Sequence, residues 1–144
     1  MENFILLICL MLISAYDLKE KRIPNSLVVS IYILGLIGLC SGRLSYAQSF
    51  VGLVVLPLII LVLFRVTRYK IGMGDVKLIS AIGFCLGFWN QLFVVLIGFG
   101  SLIVYIFSRF IKNKGQKFRK TYILGPFISF GVLFTLIIGK IIVK

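Results

Sequence analysis

The charged residues of this chain leave five uncharged stretches, and their lengths decide what it can fold into. They are Asn3–Tyr16, Ile23–Gly42, Leu44–Phe64, Leu78–Ser108 and Thr121–Gly139. A transmembrane helix needs about 20 mostly apolar residues, within a range of roughly 17–25. Ile23–Gly42, Leu44–Phe64 and Thr121–Gly139 meet that length as they stand. Asn3–Tyr16, at 14 residues, spans only with Asp17 and Leu18 near one interface and Met1–Asn3 near the other. It does not read as a cleaved signal peptide, because Glu2 precedes it and Lys19, Lys21 and Arg22 follow it. The composition, 60% hydrophobic and 14% charged, leaves too little polar surface to coat a soluble domain. It also excludes disorder and a disulfide scaffold. With 144 residues the chain reads as one membrane-embedded domain over 1–144.

Leu78–Ser108 is long for one span and short for two, with Gly87-Phe88-Trp89-Asn90-Gln91 near its middle. Gly, Asn and Gln suit lipid poorly, and Trp favours the interface. The basic residues decide between the two readings. A break at Asn90 makes six spans and puts 13 Lys and Arg on one face against 3 on the other. An unbroken stretch makes five spans and splits them 9 against 7. The positive-inside rule favours the first arrangement. The expectation is an all-α polytopic membrane protein with six transmembrane helices and both termini extracytoplasmic. The basic loop Arg109–Lys120 is then cytoplasmic. The net charge of +12 would suggest nucleic acid in a soluble protein. Here it reads as a topology signal, so the expected partner is the lipid bilayer and not nucleic acid. Pro57 falls inside the third span and is expected to kink it. Gly83, Gly87, Gly98, Gly100, Gly131 and Gly139 read as sites of close helix packing.

The chemical inventory is short. The chain has no His, which removes Ser–His and Cys–His hydrolases and His-based zinc sites. Cys9, Cys40 and Cys85 stand alone in apolar stretches and read as small packing residues, so no metal and no cofactor is expected. Gly72-Met73-Gly74 follows no strand pattern and lacks a third Gly, so it is no dinucleotide signal. The acids are Glu2, Asp17, Glu20 and Asp75. In the six-span arrangement the two aspartates lie at the cytoplasmic ends of the first and fourth helices. Each has an ordinary reading. Asp75 follows Gly74 at the start of an apolar run and suits a helix N-cap. Asp17 suits an interfacial ion pair with Lys21, four residues on. Together they suggest more, because two carboxylates brought close share a proton. One can then take a proton from water while the other donates to a carbonyl oxygen, which is peptide hydrolysis with no third residue.

At these residues the chain resembles a known family. Asp17-Leu18-Lys19-Glu20-Lys21-Arg22-Ile23-Pro24-Asn25 resembles the first-aspartate motif of type IV prepilin peptidases. Gly72-Met73-Gly74-Asp75-Val76-Lys77-Leu78 resembles their second motif, the G-x-G-D of intramembrane aspartyl proteases. Ser80-Ala81-Ile82-Gly83 and Gly125-Pro126-Phe127 are also similar to that family. The resemblance runs from Tyr16 to about Phe130. It implies a multi-pass enzyme of the prokaryotic cytoplasmic membrane that cuts the leader from prepilins or pilin-like proteins at the cytoplasmic face. Asp17 and Asp75 are then catalytic. Longer members carry an N-terminal methyltransferase region with paired zinc-binding cysteines. This chain begins at its first span, so it resembles the short, peptidase-only form. Gly72, Gly74, Lys77, Pro24 and Asn25 are expected to serve substrate binding. The glycines would allow tight turns, positive φ and close approach of a substrate strand. Pro24 would fix the start of the second helix, and Asn25 would bond backbone near Asp17. Lys77 would steer an acidic substrate or mark the cytoplasmic side. Two other readings compete: a small transporter or proton relay, and a non-catalytic pilus or secretion assembly subunit.

Overall fold

A computed structural model describes residues 2–20, 23–42, 44–66, 72–112 and 124–142. Among these residues there are six helices and no strand. They are α1 (Glu2–Glu20), α2 (Asn25–Cys40), α3 (Tyr46–Val66), α4 (Met73–Leu86), α5 (Phe88–Lys112) and α6 (Gly125–Ile142). The apolar stretches thus become helices, whose backbone bonds are satisfied internally, as lipid demands. Phe88–Ser108 within α5 is long and apolar enough to cross a membrane by length and composition. Asn25–Cys40, Tyr46–Val62 and Gly125–Ile138 are shorter apolar helices.

The contacts between helices fix their directions. Asp17 and Leu10 of α1 meet Gly125 and Ser129 of α6 in that order, so the two helices are antiparallel. Gly52 and Leu53 of α3 meet Gly83 and Ser80 of α4, also antiparallel. Val94 and Gly98 of α5 meet Gly131 and Phe127 of α6 in the same sense. By contrast α2 runs parallel to α4, with Asn25 beside Lys77 and Gly35 against Phe84. Successive helices therefore alternate in direction. One end of the bundle collects the C-termini of α1, α3 and α5 and the N-termini of α2, α4 and α6.

α4 is the central element. At ~1.5 Å per residue its 14 residues reach only ~21 Å. It packs against α2, α3 and α5, and from Leu78 to Leu86 every residue but the half-buried Ser80 is buried. A helix sheathed by protein need not match a lipid thickness of about 30 Å. Leu78, Ile79 and Ile82 join Leu6, Leu10, Ile13, Ile31 and Val94 in the core. Many large apolar side chains on the outer helices are exposed, among them Phe4, Val29, Val54, Leu96 and Val104. Such a surface suits lipid, not water.

The break within Leu78–Ser108 falls at Gly87, not at Asn90. Gly87 adopts φ +78°, which side-chain-bearing residues rarely take, and it ends α4. Asn90 lies inside α5 and its Nδ2 donates to the carbonyl of Leu86 at 3.0 Å, satisfying an orphan acceptor of the last α4 turn. Pro57 is buried inside the continuous helix α3.

Candidate active site

Asp17 sits in the last turn of α1 and is 6% exposed. Its Oδ2 accepts a hydrogen bond of 2.9 Å from the backbone N–H of Gly125. Gly125 is the first residue of α6, where backbone N–H groups have no partner within the helix. An anionic acceptor suits that position doubly, because the helix dipole is positive there. Lys21, the proposed ion-pair partner of Asp17, lies outside the described residues.

Asp75 sits in the first turn of α4 and is half-buried. It is not an N-cap. Gly72 holds that position in an extended conformation with φ −63° and ψ 129°, and no side chain caps the helix. Asp75 is three residues further on, and its own backbone N–H donates to the Gly72 carbonyl at 3.0 Å. Its carboxyl group is therefore not consumed in capping. The charge of Asp17 acts on Asp75 by coulombic repulsion. Two aspartates 58 residues apart in sequence thus come within electrostatic reach at one end of the bundle.

Neither glycine of the G-x-G-D segment uses positive φ. Gly72 is extended and Gly74 is helical. Space explains them instead. A Cβ on Gly74 would stand 3.2 Å from the Cβ of Ile23, and one on Gly72 would stand 3.3 Å from Oδ2 of Asp75. The first motif, through Ile23, lies directly on the second. Pro24 does fix the start of α2: it is the N-cap, and its carbonyl accepts from Leu27 at 3.2 Å. Residues 21 and 22, which follow the Asp17 helix, lie outside the described residues. Among those described, the Oδ1 of Asn25 accepts from Nζ of Lys77 at 3.4 Å, a second tie between the motifs. Gly72, Met73, Asn25 and Lys77 are exposed, so the site is open on the Asp75 side and closed behind Asp17.

The residue that sequence reasoning left without a role is Gly125. Its Gly-Pro pair at a helix start was the available signal. A Cβ there would collide with Oδ2 of Asp17 and stand 3.1 Å from its Cβ and Cγ. No group of three or more His, Cys, Asp or Glu among the described residues is placed to hold a metal ion.

Residues 4–109 match the sequence profile of the type IV leader peptidase family. A curated relative from Pectobacterium carotovorum subsp. carotovorum, a prepilin leader peptidase/N-methyltransferase, is 28% identical over 143 residues. The alignment takes in 94% of this chain and 50% of the relative, so the chain spans about half that protein's length. No solved structure matches the chain significantly. The profile match takes in both aspartates and all five flanking residues discussed above, and the chain belongs to the type IV leader peptidase family.

Proposed function

We propose that this protein is a membrane aspartyl endopeptidase that removes the leader of prepilins or pilin-like proteins, with Asp17 and Asp75 as the catalytic pair. The observation that carries the reading is the placement of the two carboxylates at one end of the bundle, Asp17 in the last turn of α1 and Asp75 in the first turn of α4. Two such groups hold one proton between them. The ionised carboxylate takes a proton from water as its oxygen attacks the scissile carbonyl carbon. The protonated partner donates to the carbonyl oxygen. The tetrahedral intermediate then collapses, the C–N bond breaks, and the amine leaves with a proton returned from the pair. No cofactor enters these steps.

The six alternating helices support a six-span protein, and the 13-to-3 division of basic residues supports cytoplasmic placement of the site end. The N- and C-termini then share the outer side. The open rim of Gly72, Met73, Asn25 and Lys77 supports entry of substrate beside Asp75. A peptide bond must leave its helix to be cut. Gly72 is exposed and extended, which supports approach of an extended segment to its backbone, and Asn25 and Lys77 line the same rim.

Co-expression with a pilin-like substrate tests the proposal. Wild type shifts the substrate to the mature mobility. Asp17→Asn and Asp75→Asn each accumulate in the membrane and leave it unprocessed. Normal processing by both variants contradicts the reading and returns the field to a proton relay or an assembly subunit.

A further inference from the structure

We propose that Gly125 is a positioning residue for Asp17: the start of α6 completes the catalytic site by holding one oxygen of that carboxylate. The inference rests on the reading of Asp17 as catalytic, and it reaches a helix beyond the residues 4–109 that match the family profile. Three observations carry it. The Gly125 N–H donates to Oδ2 of Asp17 at 2.9 Å, and both partners are buried. A buried donor on a charged acceptor is among the stronger hydrogen bonds, because water does not compete for either group. The site also has no room for a side chain. A Cβ at position 125 would collide with the very oxygen the N–H holds.

The third observation is the rigidity of the seam behind the bond. One turn along α6 from Gly125, the Ser129 hydroxyl reaches the carbonyl of Leu10 on α1 at 3.1 Å and that of Gly125 at 2.9 Å. On the other side of α6, a Cβ at Gly131 would stand 2.5 Å from the Val94 carbonyl oxygen of α5. α6 is thus seated between α1 and α5 at backbone-contact distance, and its first N–H inherits that register. The bond fixes where the Asp17 carboxylate stands relative to Asp75. Two groups that must pass a single proton depend on that placement, and a displacement of an ångström can cost about 100-fold in rate.

Two measurements test this. The first compares kinetics of purified Gly125→Ala and Ser129→Ala. Gly125→Ala is expected to lower kcat roughly 10–100-fold with little change in KM. Ser129→Ala removes one bond of the same α1–α6 seam without touching Asp17, and is expected to lower kcat several-fold less than Gly125→Ala does. Equal losses in the two variants, matching their loss of folded protein, overturn the proposal, as does full activity of Gly125→Ala. The second measurement does not depend on Gly125→Ala folding. Amide hydrogen exchange at Gly125 is compared between wild type and Asp17→Ala. Selective loss of protection at that amide, with the interior of α6 unchanged, supports the bond, and unchanged protection refutes it. Normal cleavage by Asp17→Asn would instead overturn the reading of Asp17 as catalytic, whatever the exchange result.

Discussion

Asp17 and Asp75 are two like residues in unlike surroundings. Asp17 is enclosed and anchored by a backbone donor from α6, whereas Asp75 faces the open rim. Their proposed partnership rests on a feature legible in the sequence, the scarcity of acids. Four exist in the chain, and two stand in motifs at equivalent helix ends. Gly125 was not legible as a partner, because a backbone N–H has no side-chain signature and the bond joins positions 108 residues apart. The Asn25–Lys77 contact was missed for a related reason. Asn25 offers both donors and an acceptor, and only the tertiary arrangement selects among them. Both residues are exposed and their contact is 3.4 Å, so it contributes little stability. Lys77→Met is therefore expected to shift unfolding by less than about 1 kcal/mol. It should raise KM for a substrate carrying an acidic residue near the cut and leave kcat largely unchanged. A loss of kcat with unaltered KM would instead place Lys77 in the chemical step.

At the scale of elements, the join between α4 and α5 shows how polar residues are handled in an apolar bundle. Gln91 is fully buried, and its Nε2 donates to the carbonyl of Ile79 on α4 at 2.8 Å. The amide reaches that carbonyl because Gly83 has no side chain, and a Cβ there would collide with the Gln91 amide group. Gly83→Ala is expected to destabilise by about 1–3 kcal/mol through overpacking. Gly83→Ala/Gln91→Ala should regain part of that loss, which thermal unfolding in detergent measures as a double-mutant cycle. Gly87→Ala acts differently. Space is open there, with Gln48 no nearer than 3.7 Å, but φ is +78°. The expected cost of about 1–3 kcal/mol is conformational and no partner substitution should relieve it. The sequence pattern located this break to within a few residues. It chose Asn90 over Gly87 because polarity marks an unwelcome residue in lipid, while the dihedral angle that turns the chain is visible only in three dimensions.

For the molecule as a whole, alternating helices bring both termini of the described bundle to the end opposite the aspartates. The count of six helices among the described residues was readable from charge spacing alone, since basic residues are excluded from lipid. The central, protein-sheathed position of α4 was not readable, because a buried helix and a lipid-facing one are equally apolar. The proposed orientation makes a direct prediction. In a background with Cys9, Cys40 and Cys85 replaced, Asn113→Cys should label only from the cytoplasm and Ser45→Cys only from outside. Labelling of Asn113→Cys from outside would favour five spans. The central claim, that Asp17 and Asp75 act as one proton-sharing unit, is tested most directly by cleavage rates of purified wild type, Asp17→Asn, Asp75→Asn and the double variant on one pilin-like substrate. Residues that act as a unit are strongly non-additive. The account predicts that each single variant falls to the residual rate of the double. A single variant that retains appreciable cleavage, with a further loss in the double, would contradict it.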